Sequence, residues 1–426
     1  MKWTVLQHLF AQASRYLVFF VLSAVVAPEE LGLITLASSS LAVLAAFTET
    51  GFGAAIIQRR ELEGGHLSST FAINVAVGLV LTLVGVALGL AAARVYDSPR
   101  LLPLMTALAA GFLIRSLGVT HATIAQREMR FRSLAMRDLL AACVSGVIGV
   151  GMALAGYGVW SLVASALVGA TVSVIFMWSV DDWRPRASEV SRRHTVDLWQ
   201  YSSRILGFNL GKALVQNSDR LIIGFVLGAH AVGLYAFASK LVVAPVSGFV
   251  GAVGAYLFPA VSRVQHDRQA VRTDYLRTMR MIMRVVLAYL VLVTFLAPAA
   301  ITPIFGPEWN AAVPVLRWLS IAAFLASIYS PFGQLLKALN RPGWLLAWSA
   351  VFSLLMLLGV AIGAQWGLVG AAIGFSAAHV MVVPAAAAMT RRISSFTLKE
   401  MLIGSRDSVI GAAGIALLLW AIGDSV

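Results

Sequence analysis

Residues 69–93, 139–180 and 342–390 contain no Asp, Glu, Lys or Arg. Runs of this kind leave a chain few options, because a bilayer core of about 30 Å is crossed by about 20 apolar residues in a helix. The second run is long enough for two spans broken at Gly156-Tyr157-Gly158, and the third for two broken near Gln365-Trp366-Gly367. Backbone groups in lipid must be bonded within a helix or around a closed barrel. Barrel strands would alternate apolar with polar residues, and these runs do not. Composition points the same way. Apolar residues make up 59% and charged ones 12%, against about 45–50% and about 25% in soluble domains. So few charges cannot cover a water-facing surface, and lipid must be the solvent.

The hydropathy pattern predicts an all-α integral membrane protein with spans at 4–26, 31–57, 69–93, 101–124, 134–155, 159–180, 201–227, 231–257, 283–305, 312–336, 343–364, 367–389 and 403–423. The last holds only a short uncharged stretch. Lys2 ahead of an apolar segment resembles a signal peptide, but Arg15 interrupts that segment and no small-x-small site closes it, so an uncleaved first helix is expected. The single cysteine, Cys143, lies in an apolar run and reads as a small buried residue.

In the connections and at the adjoining span ends, 23 Lys and Arg, among them Arg137, Arg284 and Arg406 at span ends, fall on the side holding the N-terminus, and two, Arg94 and Arg100, on the other. Basic residues are retained in cytoplasmic connections, so the N-terminus is expected inside. The net charge of +13 is then a topology signal. Its scatter over many loops argues against a nucleic-acid partner.

The chain also repeats itself. Residues 27–38 (APEELGLITLAS) align with 228–239 (GAHAVGLYAFAS), sharing Gly32/Gly233, Leu33/Leu234, Ala37/Ala238 and Ser38/Ser239. Further on, the stretch before Gly158-Val159 matches that before Gly367-Leu368, and Pro103 matches Pro314, each near the start of a span. The expected organisation is a six-helix lobe at 1–180, a polar cytoplasmic linker at 181–200, a second six-helix lobe at 201–390 and an extra helix within 391–426. Six spans is an even number, so the copies share one orientation and are related by a pseudo-two-fold axis along the membrane normal.

Seven other bases lie within spans: Arg15, Arg115, Arg204, Lys212, Arg220, Lys240 and Arg317. Three acids, Glu49, Asp138 and Asp219, lie within spans or at their edges. A charge at the bilayer centre costs about 2.5–3.5 kcal/mol and normally faces a water-filled cavity. Arg204 and Arg317 are near helix ends and can snorkel to the headgroups, and Asp138 is expected to pair with a nearby arginine. The candidate cavity charges are therefore Arg15, Arg115, Lys212, Asp219, Arg220 and Lys240. Of these, Lys212, Asp219 and Arg220 fall with Gln216 within an arc of about 100° on one helix. Glu49 is the candidate for coupling transport to a cation, and no other cofactor is implied. Bases outnumber acids at this depth, which suits an anionic substrate, because Arg and Lys donors match phosphate.

The segment Gly207-Phe208-Asn209-Leu210-Gly211-Lys212-Ala213 approaches a phosphate loop, but it has one residue too few and lacks the hydroxyl after the lysine. His121 and His379 are lone span histidines and read as packed. No paired carboxylates, nucleophile arrangement or metal-ligand spacing is present in the sequence, so an enzyme is not expected.

The stretch QNSDRLIIG at 216–224, then Leu227-Gly228 and Gly233-Leu234-Tyr235-Ala236, resembles the centre of Wzx-type polysaccharide flippases. PEELGL at 28–33, ETGFGAAIIQ at 49–58 and FPAVS at 258–262 are similar to the same group, nearest to its colanic-acid-exporter branch. These proteins belong to the multidrug/oligosaccharidyl-lipid/polysaccharide exporter superfamily. The resemblance implies two six-helix bundles in a V, and translocation of an undecaprenyl-diphosphate-linked oligosaccharide across the bacterial plasma membrane. It also implies a polysaccharide polymerase and chain-length machinery as partners beside membrane lipid. It assigns Arg15, Arg115, Lys212, Arg220 and Lys240 to a basic cavity. Many relatives have fourteen helices, one more than is expected here. Two other readings compete: a multidrug or small-solute exporter of the same superfamily, and a non-transporting scaffold.

Overall fold

The computed structural model describes residues 16–48, 53, 56, 57, 64–264, 267–338 and 342–394, and those in regular structure are helical throughout. The chain divides into two compact units, Met1–Gly233 and Leu234–Val426. Among the described residues, nine helical stretches are long and apolar enough to cross a membrane. Two of them, Gln216–Arg263 and Ser349–Pro384, are long enough for two passes each. The expected thirteenth span lies outside the described residues.

The first unit contains α1 (residues 16–23), α2 (Pro28–Thr48), α3 (Gly64–Val95), α4 (Leu101–Arg127), α5 (Phe131–Leu154) and α6 (Val159–Val180). Pro28 opens α2, where its missing N–H costs nothing, and Glu29 and Glu30 follow in the first turn, where the helix dipole favours negative charge. Helix α3 packs on α4, and α5 on α6. The polar stretch after α6 carries one 3-10 turn, Ala187–Glu189, before α7 (Arg192–Arg263) begins. Ser68 Oγ donates to Glu189 Oε2 at 3.0 Å, which ties that turn to the start of α3.

Helix α7 joins the two expected spans 201–227 and 231–257, and the break between them is a kink at Gly228 with φ 82° and ψ 179°. Only glycine adopts that conformation without strain, and Gly228 opens the stretch 228–239 that repeats 27–38. The second unit continues with α8 (Arg268–Phe305), α9 (Ala312–Ala338), α10 (Pro342–Gly363) and α11 (Gly367–Ser394). Helices α10 and α11 cross where Gly359 faces Gly374 and Gly363 faces Gly370; a Cβ at any of the four would meet the opposing carbonyl at 2.4 Å or less. Small residues of this kind let membrane helices approach backbone to backbone.

Helix α8 starts fifteen residues ahead of its expected span, which was placed at 283–305. Asp267 caps it, its Oδ1 accepting from the amides of Gln269 at 2.9 Å and Ala270 at 3.1 Å. Arginines at 268, 272, 277, 280 and 284 gave this stretch the composition of a loop. Its opposite face is apolar at helical spacing: Val271, Tyr275 and Met279 are buried against Leu257, Val261, Phe332, Leu335 and Leu336.

The repeat is visible in the backbone of each unit. Gly158 at φ 52° precedes Val159, and Gly367 at φ 88° precedes Leu368, so matched glycines open α6 and α11. Pro103 and Pro314 are each the third residue of their helices, α4 and α9. Asp97 at φ 46° and Gly306 at φ 100° form left-handed turns ahead of the same two helices.

Cys143, expected to be buried, is exposed on α5; in lipid, an exposed small apolar residue carries no desolvation cost. His379 fits the packed reading, with Nδ1 at 2.8 Å from the Phe375 carbonyl and its ring among Tyr329, Phe352 and Phe375. His121 also fits the packed reading, fully buried among Phe71, Trp178 and Trp183.

Candidate functional site

The first unit encloses a cavity of about 710 Å³ bounded by residues of α1, α4, α5 and α6. One wall is apolar, with Val18, Phe19 and Leu22 from α1. The other helices add further small and apolar residues, and among them stand groups that can bond water or a polar ligand: Thr123 and Gln126 from α4, Ser145 from α5, and Ser165 and Ser173 from α6. Space for it comes from small residues. Gly118 and Gly169 both line it, and a Cβ on Gly118 would meet Val174 at 3.0 Å.

Arg115 sits on the cavity wall, midway along α4, with its side chain exposed to the opening. None of the described side chains bonds it. Lower on the wall, Arg137 holds Asp138: Nε and Nη2 donate to Oδ1 at 2.9 and 2.7 Å. That pair, expected for Asp138 from its position, is locally neutral. The cavity charge that remains is the Arg115 guanidinium, a planar group with five N–H donors and no acceptor.

Asp219, Arg220 and Lys240, the other described sequence candidates, are not among the residues that line this cavity. Asp219 is buried on α7, with 8% of its surface exposed, and its Oδ1 accepts from the Arg220 amide at 2.9 Å. No ion pair between Asp219 and the Arg220 guanidinium is among the described contacts. Arg220 is half-buried on the same helix, and Gln216 of the expected polar stripe is exposed. Lys240 is half-buried further along α7, in the second unit. Arg15, Glu49 and the Lys212 side chain lie outside the described residues. The structure thus brings Arg115 together with groups that the sequence reading passed over. Arg137 had been counted among loop arginines. The three cavity serines gave one signal, polar residues at near-helical spacing inside charge-free runs.

Comparison with known proteins follows the same lines. The chain is 28% identical to the succinoglycan biosynthesis transport protein ExoT of Rhizobium meliloti over 98% of its own length and 84% of the relative. It is 23% identical to the lipopolysaccharide biosynthesis protein WzxC of Escherichia coli over 88% of its length and 76% of that protein. It is also 26% identical to the teichuronic acid biosynthesis protein TuaB of Bacillus subtilis, over 75% of this chain and 66% of the relative. Its fold resembles the lipid II flippase MurJ in an inward closed conformation, with a TM-score of 0.78 at 13% identity, covering 99% of this chain and 97% of that one. An inward-facing multidrug transporter of the MATE family gives a TM-score of 0.72 at 16% identity over 90% of this chain and 95% of that one. A family model described as polysaccharide biosynthesis protein matches residues 21–314, and with most of its length so matched, this multi-pass membrane chain belongs to that family.

Proposed function

We propose that the protein translocates an undecaprenyl-diphosphate-linked oligosaccharide across the bacterial plasma membrane by alternating access, for a surface or secreted polysaccharide. The observation that carries this reading is Arg115, a guanidinium that none of the described side chains bonds, on the wall of a cavity within a membrane helix bundle. The diphosphate is the one anionic feature that all such lipid-linked precursors share, whatever sugar they bear. The family and the transport named for ExoT support it, as does the fold shared with a lipid II flippase. Translocation needs no covalent step, so we read the protein as a transporter and not an enzyme. A polymerase and chain-length machinery would act on the translocated product, and Glu49 is our candidate for a coupling cation.

The fold shared with a multidrug transporter favours one other reading, a small-solute exporter. Deleting the gene in its host separates the two. We expect lipid-linked oligosaccharide to accumulate on the cytoplasmic leaflet and one polysaccharide to disappear, with sensitivity to cationic dyes unchanged. Normal polysaccharide with new dye sensitivity would establish the exporter instead.

We also propose that the N-terminus is cytoplasmic, from the 23-to-2 bias in basic residues. With Cys143 replaced by alanine, single cysteines at the exposed positions Arg94 and Arg186 can be treated with an impermeant thiol reagent on intact cells. Position 94 should label and 186 should not; the reverse pattern would invert the topology.

A further inference from the structure

The second unit carries its own cavity, about 570 Å³, between the start of α8 and the end of α7. Its lining includes Arg277, Arg280 and Arg284, with one acid, Asp274. All four project from α8 within about 15 Å along the axis, at 1.5 Å per residue. The arginines are spaced three and four residues apart, so they are neighbours on one helix face, where like charges repel. Arg280 Nε donates to the Leu276 carbonyl at 3.2 Å, which leaves the terminal N–H groups of its guanidinium for another acceptor. The helix is held from behind: Tyr275, Met279, Ile282, Met283 and Val286 are buried. The helix cannot turn to carry the arginines apart, and with one acid among three bases the pocket keeps a net positive charge that an anion would offset.

The same cavity is also lined by apolar groups that face outward, with Tyr256 70%, Met281 46% and Val285 45% exposed. Arginines beside exposed apolar side chains, at the point where an arginine-rich helix end enters an apolar span, match the boundary between headgroups and acyl chains. We propose that this pocket binds the phosphate headgroup of an anionic membrane phospholipid, with the acyl chains lying against Met281 and Val285. Bulk phospholipid is favoured over the transported lipid because exposed apolar side chains adjoin the arginines, as an ordinary headgroup and its acyl chains require. Headgroup binding would neutralise the arginine face and fix the depth of α8 in the bilayer.

The test uses the full chain, purified in detergent and titrated with phosphatidylglycerol, phosphatidylcholine or undecaprenyl diphosphate, with bound lipid read by native mass spectrometry. Phosphatidylglycerol should bind and phosphatidylcholine should not. The triple substitution Arg277→Gln, Arg280→Gln, Arg284→Gln should weaken phosphatidylglycerol binding roughly a hundredfold, since each arginine near an anionic lipid surface contributes about fivefold. The triple exchange to lysine should retain most of it. On the unaltered protein, raising salt should also weaken phosphatidylglycerol binding, a measurement that does not depend on how any variant folds. Equal phosphatidylglycerol binding by the glutamine variant and the parent, or salt-independent binding, would overturn the proposal. So would a glutamine variant that keeps phosphatidylglycerol and loses undecaprenyl diphosphate, which would assign the pocket to the transported lipid. Dye and polysaccharide phenotypes play no part here, so the outcome is independent of the transport reading.

Discussion

Gly32→Ala and Gly233→Ala should each destabilise the purified protein by about 3 kcal/mol, the upper end of what an extra carbon in a packed interior costs. The geometry leaves no cheaper outcome. A Cβ on Gly32 would lie 1.7 Å from the Ala229 carbonyl oxygen, and one on Gly233 would lie 1.8 Å from the Pro28 carbonyl oxygen. Both obstacles are backbone, so no side chain can swing aside. Pro28 stands to Gly32 as Ala229 stands to Gly233 in the repeat, so the two contacts are a reciprocal pair made by matching residues of the two copies. Cα–H groups facing carbonyls at this range recur where helices approach closely, and only glycine permits it here. Reciprocity adds a sharper expectation. Whatever separation admits the first methyl should partly admit the second, so the double variant should lose less than the two single losses combined. Thermal unfolding of the two single variants and the double variant checks this. Unchanged melting in the single variants would show that the approach is looser than drawn, and strict additivity would show that the two contacts are independent.

What the sequence disclosed depended on how strongly each segment contradicted an aqueous environment. Residues 159–180 were legible to the residue, since charge-free runs of that length have one solution in lipid. The break at Gly228 was legible through the repeat, although the chain passes it as a kink and not as a loop. The first four turns of α8 were not. Five arginines between 268 and 284 outweighed the apolar set Val271, Tyr275, Met279, Ile282 and Met283 in any average, yet these lie on one helical face. A periodicity test would have found the helix where mean hydropathy hid it. The candidate site divided in the same way. Arg115 was conspicuous as a lone base in an apolar span. Its cavity neighbours Ser145, Ser165 and Ser173 gave only the weak signal of their spacing, because a serine that bonds its own helix is unremarkable in lipid. Ser173, for example, donates to the Gly169 carbonyl at 2.8 Å.

Arg115→Ala should reduce polysaccharide export about 10- to 100-fold, the factor expected from losing a hydrogen bond to a charged group worth about 1.5–3 kcal/mol. The protein should nevertheless accumulate normally and melt no lower than the parent. The two effects separate because none of the described side chains bonds Arg115, and it lines the cavity. Its presence at membrane depth is a cost of about 2.5–3.5 kcal/mol on insertion, so truncating it relieves strain instead of creating it. A structural arginine would behave in the opposite way, since breaking a buried pair strands the partner charge and lowers stability. Arg115→Lys gives the intermediate case. It keeps the charge but replaces a planar fork of donors with a single ammonium, so partial export is expected if the ligand is a phosphate engaged in bidentate fashion. Export by polymer assay, protein level by immunoblot and melting temperature together decide the matter. Full export by the alanine variant would remove Arg115 from the transport path, and loss of the protein itself would make its role structural.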